Sequence, residues 1–273
     1  MERIRVNGLE LAVEARGSGE PVVLVHGSVV ADSAMPLLGE AALVNRYRVI
    51  AYHRIGYGES DRAAGPVSIV EQAQHCRAVL AELGAESAHV VGHSYGGVIA
   101  LQLALEAPEV VGTLALLEPA LLAVPSGEQF GEAMGPVVER YQAGDRAGAV
   151  DGFMRGALDP NYRSWLERAL PGAFERAVAD ADTFFAVELP ALRGWTFTAE
   201  DARRIDRPVL AVLGGESGPL FRDGHELLAQ WFPRAERARL PNVHHALQMQ
   251  DAPGLSEILV GFLGRHPLHA GPA

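Results

Sequence analysis

The stretch Ala88–Pro108, AHVVGHSYGGVIALQLALEAP, constrains the fold of this chain more than any other. A β-branched apolar run enters Gly92-His93-Ser94-Tyr95-Gly96 and leaves at once as a helical pattern that stops before Pro108. A strand that turns into a helix within two residues needs a sharp reversal. Glycines two before and two after the serine let neighbouring chains approach that closely. Proline disfavours helical geometry in the residue before it and so marks the helix end. This is a βα unit of a parallel sheet, with one serine held at its tight corner.

The rest of the chain repeats the rhythm. Short apolar strands are expected at 20–27, 47–53, 87–94, 111–119, 207–215 and 234–242, after an N-terminal strand pair. Near-continuous apolar strands suit a sheet covered on both faces. Helical patterns fall between them. SAMPLLGEAALVN is one, with Pro36 in its first turn. Another starts at Ser68, an N-cap with Glu71 at N3, and stops at Gly84. HELLAQWFP and APGLSEILVGFLGR close the chain, ahead of a Gly/Pro tail after Arg265. Strands alternating with helices predict a mostly parallel sheet with right-handed crossovers, the α/β class. Residues 122–200 break the pattern: no strand is evident, and several short amphipathic helices are expected. The expected organisation is therefore a core of 1–121 and 201–273, interrupted by a helical lid at 122–200.

Composition narrows the function. The 273 residues are 48% hydrophobic and 21% charged, ordinary for a globular protein. A net charge of −11 and the lack of any basic patch argue against a nucleic-acid partner. No apolar run is long enough for a bilayer, and the N-terminus has no secretory apolar region, so no membrane association and a cytoplasmic location are expected. Cys76 is the only cysteine and lies in a helical pattern, which reads as a buried structural thiol. No metal-ligand spacing is present: His244-His245 alone offers too few ligands for zinc. No cofactor is implied, and nothing fixes the oligomeric state.

With these motifs in place, the chain resembles an α/β-hydrolase-fold serine hydrolase of the lidded type. His26-Gly27 matches the oxyanion loop of that family, with Ser28 next. YHRIGYGESD resembles its D-x-R-G-x-G-x-S turn, with His53 and Ile55 as departures. LPNVHHALQMQDAP resembles its last catalytic segment. The resemblance implies that Ser94 is the nucleophile and His245 the base. It implies an oxyanion hole made by the backbone N–H groups of Ser28 and Tyr95, with the Ser28 hydroxyl as a candidate third donor. His26, Arg54 and Ser60 are expected in structural roles behind that turn. His93 is expected to point away from the nucleophile.

The acid is less plain. The family usually places it after the strand at 207–215, about three residues past the first glycine, where this chain has Ser217. Glu216 is one residue short of that place. The competitor is Glu118, which ends an apolar strand 24 residues after Ser94. A carboxylate among so many apolar residues is unfavourable unless paired. One helix and one strand would bring it back to the edge of the sheet where catalytic groups gather. The spacing favours Glu118, as in branches such as haloalkane dehalogenases and zearalenone-type lactonases, with Glu216 as the alternative.

A serine nucleophile points to acyl transfer through an acyl-enzyme. The aromatic and methionine content of the insertion suits a mostly apolar pocket and a small hydrophobic ester or lactone. Trp165, Trp195 and His53 are the candidate pocket residues. A cofactor-free C–C bond hydrolase or lyase, a perhydrolase, and a non-catalytic ligand-binding protein on the same fold remain open.

Overall fold

The computed structural model describes residues 1–268; the last residues of the expected Gly/Pro tail, 269–273, lie outside the described residues. Among the described residues, eight strands form one sheet in the order β1-β2-β4-β3-β5-β6-β7-β8. They are β1 Glu2–Val6, β2 Leu9–Arg16, β3 Glu20–Val25, β4 Tyr47–Tyr52, β5 Ala88–His93, β6 Val111–Leu117, β7 Val209–Gly214 and β8 Glu236–Leu240. β2 runs antiparallel to both β1 and β4, and every other pairing is parallel.

Alternation along the central strands explains why the sheet is buried on both sides. Val23, Val25, Val90, Leu114 and Leu116 face one apolar cluster, while Val22, Leu24, Val91, Ala115 and Leu117 face another. Side chains one residue apart point to opposite faces, so an unbroken apolar run is what a doubly covered strand requires.

The helices follow in chain order. α1 Met35–Leu38 and α2 Ala41–Val44 replace the single helix expected over SAMPLLGEAALVN, because the chain extends at Glu40, whose ψ is 111°. α3 Ile69–Glu82 carries the expected capping box: Glu71 N–H donates to Ser68 Oγ (3.1 Å) and Ser68 N–H to the Glu71 carboxylate (2.8 Å). α4 Tyr95–Glu106 follows β5 directly. Cys76, on α3, is completely buried, and burial pushes its thiol pKa up to about 12.

Between β6 and β7 the chain is helical: α5 Gly127–Gln142, α6 Arg146–Ala157, α7 Tyr162–Ala169, α8 Ala173–Ala179, a π-helical turn Thr183–Glu188, α9 Leu189–Gly194 and α10 Ala199–Arg203. This insertion has its own apolar centre around Met154, Tyr162, Leu166 and Phe185, which packs onto Val29, Val30, Ala246 and Met249 of the core. It lies between β6 and β7, and its last helix ends at Arg203. α11 Pro219–Trp231 starts earlier than HELLAQWFP suggested, with Pro219 in its first turn. α12 Leu247–Gln250 and α13 Ala252–Arg265 complete the core. Among the described residues, no helix is long and apolar enough to cross a membrane.

Candidate active site

Ser94 stands between β5 and α4 with φ 52° and ψ −118°, a backbone state that L-residues seldom occupy. Packing makes this corner possible. A Cβ on Gly92 would lie 2.5 Å from the carbonyl oxygen of Gly96, and one on Gly96 would collide with the carbonyl of Val25. The corner is pinned to the end of β6. Ser94 N–H donates to Leu117 O (3.0 Å), and Ala120 N–H donates to Ser94 O (3.1 Å). Tyr95 is the first residue of α4, so its N–H has no partner within the helix.

Glu118 comes directly after β6, only 2% exposed, with φ 47°. Both of its oxygens are engaged. Oε1 accepts from Gly214 N–H (2.6 Å), and Oε2 accepts from His245 Nδ1 (2.6 Å). His245 lies on the loop between β8 and α12 and is 3% exposed. A carboxylate on Nδ1 assigns that nitrogen the ring proton and leaves Nε2 as an acceptor. Phe221 of α11 stacks on the imidazole, with ring centroids 3.5 Å apart and planes 8° from parallel. The alternative acid, Glu216, is exposed, and its backbone N–H is bound to Val243 O (2.9 Å). Ser217 is buried, and among the described residues its hydroxyl has no hydrogen-bond partner. The structure therefore brings Glu118 to His245 and leaves Glu216 at the surface.

His93 is tied to the loop of the base. Its ring lies 4.7 Å from that of His245. Nε2 donates to the backbone carbonyl of His245 (2.8 Å), and Nδ1 accepts from Gln248 Nε2 (3.1 Å). It braces the base's own loop. Burial, with a smaller contribution from the neighbouring His245, lowers its pKa to about 3. His26 sits behind the β3 turn as expected. Its Nε2 accepts from Arg54 N–H (3.0 Å), its Nδ1 is bonded to Gly27 O (2.7 Å), and burial pushes its pKa well down. Ser60 Oγ bridges Ala12 N–H (2.9 Å) and His53 O (2.5 Å), a turn contact. The Ser28 hydroxyl is not a spare donor: it donates to Glu188 Oε2 (2.6 Å).

Ser28, Ser94, Tyr95 and His245 line one cavity of about 50 Å³. The insertion supplies Phe130, Phe153, Phe184 and Leu189 to its walls, and α11 supplies Phe221. Among the described residues lining it, none carries a carboxylate or a guanidinium group.

Comparison with known proteins places this geometry. The family described as alpha/beta hydrolase fold matches residues 20–252. The chain belongs to that family. The α/β-hydrolase is 41% identical over 264 residues to a protein of Azorhizobium caulinodans named "Putative carbamate hydrolase RutD", covering 93% of this chain and 95% of the relative. Among solved structures, Est816, described as an N-acyl homoserine lactone degrading enzyme, is 25% identical with a TM-score of 0.72, over 96% of this chain and 100% of that one. The enol-lactonase from Burkholderia xenovorans LB400 shares the fold with a TM-score of 0.81 at 21% identity, over 96% and 100% of the two chains. Family and relatives identify the chain as a hydrolase.

Three residues expected at the pocket of this α/β-hydrolase lie elsewhere, each held away by a polar partner. Trp165 Nε1 donates to Asp159 (2.9 Å), which turns its indole into the packing of the insertion. Trp195 Nε1 donates to Gln102 of α4 (2.8 Å) while its ring stacks on Phe197, and it does not line the cavity. His53 bonds Asp32 through Nε2 (3.0 Å) and accepts from Glu59 N–H through Nδ1 (3.3 Å), in a separate groove that Arg62 and Arg176 also line. Two residues escaped the sequence reading, Phe221 and Glu188. The signal for Glu188 was present: a lone acid in the apolar run FFAVELP, the same cue that marked Glu118.

Proposed function

We propose that this hydrolase cleaves a small hydrophobic carboxylic ester or lactone through an acyl-enzyme on Ser94, His245 and Glu118. The observation that carries the reading is the 2.6 Å contact from His245 Nδ1 to Glu118, with the other imidazole nitrogen left for the cavity that Ser94 also lines. Ser94 Oγ attacks the carbonyl carbon while its proton moves to His245 Nε2. The imidazolium so formed is stabilised by Glu118, which stays ionised. Negative charge collects on the carbonyl oxygen, beside the backbone N–H groups of Ser28 and Tyr95. The C–O bond then breaks, His245 returns the proton to the leaving alkoxide, and the acyl group remains on Ser94. Water, deprotonated by the same nitrogen, releases the acid. In a lactone, the leaving alkoxide stays tethered to the acyl group.

The apolar lining supports an uncharged hydrophobic substrate. A carbamate is the second reading, favoured by the name of the relative at 41% identity. The same attack on a carbamate carbonyl uses the same residues.

The test is steady-state hydrolysis of p-nitrophenyl acetate and butyrate, a γ-lactone and an aryl carbamate. Wild type should turn over the ester or lactone, and Ser94→Ala should abolish that turnover. Glu118→Gln should lower kcat by roughly 10⁴-fold, the loss when a triad acid becomes an amide, while Glu216→Gln stays near wild type. Faster turnover of the carbamate than of every ester would move the assignment to the second reading. A wild-type rate in Glu118→Gln would remove the acid from the mechanism.

A further inference from the structure

The insertion sends one carboxylate into the core. Glu188, at the end of the π-helical turn, is 1% exposed and forms an ion pair with Arg54, also 1% exposed. Its Oε2 accepts two hydroxyl hydrogen bonds at 2.6 Å, from Ser28 Oγ and from Tyr57 Oη. Tyr57 Oη in turn accepts from the backbone N–H of Val29 (3.0 Å). One carboxylate oxygen thus holds both residues of the Ser28–Val29 turn, one directly and one through a phenol. The turn needs holding: Val29 has φ 72°, a strained state for a β-branched residue. Burial, then the charge of Glu188, raises the Tyr57 pKa well above its usual value, so the phenol keeps the proton it donates.

The segment that carries Glu188 also forms a wall of the cavity, through Phe184 and the adjoining Leu189. It is fastened to the core at a separate place as well. Thr183 Oγ1 donates to Gly56 O (2.6 Å), and Asp180 accepts from Gly58 N–H (2.8 Å) and pairs with Arg62 (2.7 Å). Short π-helical turns recur at functional sites because they redirect one side chain out of helical register.

We infer that Glu188 is a positioning residue: by gripping the Ser28–Val29 turn, it sets the Ser28 N–H in its catalytic place only while the 183–188 turn is docked. This rests on the acyl-transfer reading above for the role of that N–H. A substrate group seated against Phe184 and Leu189 presses on the segment that fixes the oxyanion donor. The occupied cavity and the donor geometry are then mechanically linked.

The experiment compares wild type with Glu188→Gln, Tyr57→Phe and Asp180→Asn by two readouts: kcat and KM on p-nitrophenyl butyrate, and hydrogen–deuterium exchange of the amides at 28–30. Glu188→Gln and Tyr57→Phe should lower kcat by about 10- to 100-fold, up to the loss of one oxyanion donor. KM should stay within about threefold, and exchange at 28–30 should quicken. Asp180→Asn, which loosens the docking of the same segment without touching the Glu188 contacts, should quicken that exchange and lower kcat, each by less than Glu188→Gln. If Glu188→Gln does not fold, Tyr57→Phe carries the test, since it leaves the Arg54 ion pair intact. The inference is overturned if exchange at 28–30 matches wild type in the variants, if exchange rises without loss of kcat, or if Asp180→Asn loses as much activity as Glu188→Gln. Failure of wild type to hydrolyse any ester would count against the substrate reading alone, because the exchange comparison still decides whether Glu188 holds the turn.

Discussion

Ser94 and Glu118 both sit at positive φ, 52° and 47°, each directly after one of two neighbouring parallel strands, β5 and β6. Each carries strain of order 1–3 kcal/mol, tolerated because the surrounding bonds over-determine it. The residues that could be named from sequence share one property: their chemistry is conflicted locally. A serine between glycines at a strand end and a glutamate in an apolar run stand out without any partner in view. His93 did not stand out, since its role depends on His245 and Gln248, more than 150 residues away. Its lowered pKa gives a prediction. The folded state holds His93 neutral down to about pH 3, whereas the unfolded chain takes up that proton near 6.5. Its contribution to stability is therefore complete above about pH 6.5 and is lost as pH falls toward 3. The slope from this group is at most about 1.4 kcal/mol per pH unit. Urea unfolding of wild type and His93→Gln between pH 7 and pH 4 should show the steeper decline in wild type; equal slopes would assign the acid sensitivity to other groups.

At the scale of elements, the central strands were legible because burial on both faces favours apolar residues, with the buried polar His89 and Thr113 paired to each other, and the glycines at strand ends marked the turns. The helix at 33–45 misled because apolar spacing continues across Gly39-Glu40, although the backbone extends there. The insertion was legible as helical but not in its detail. Indole burial can be guessed from composition, whereas the acceptor that orients each N–H comes from folding, as Asp159 and Gln102 show. The π-helical turn places Phe184 on the cavity that Ser94 also lines. A cavity of about 50 Å³ is a fraction of the roughly 150 Å³ that holds a benzene-sized guest. Short acyl chains should therefore be preferred. Phe184→Ala should shift the optimum of a p-nitrophenyl ester series by several carbons toward longer chains, and should lower stability by about 3–5 kcal/mol. An unchanged chain-length profile would mean that another wall limits the substrate.

At the scale of the molecule, the two halves of the core are separated in sequence by the insertion, yet the site draws on both. Ser94 and Glu118 come before it, and His245 and Phe221 after it. The site forms only when the whole sheet has closed, and Cys76 offers a way to watch that closure. It is the one thiol in 273 residues, it is completely buried, and its pKa of about 12 keeps it almost wholly protonated near neutral pH. Thiolate, not thiol, attacks alkylating and disulfide reagents. A colorimetric thiol reagent should therefore remain silent with the native protein and respond only to molecules that have opened. The lone cysteine thereby becomes a built-in clock for rare openings: modification at saturating reagent should proceed at the unfolding rate measured independently by denaturant jump. A faster, reagent-dependent signal would reveal that α3 lifts from the sheet while the rest of the molecule stays closed.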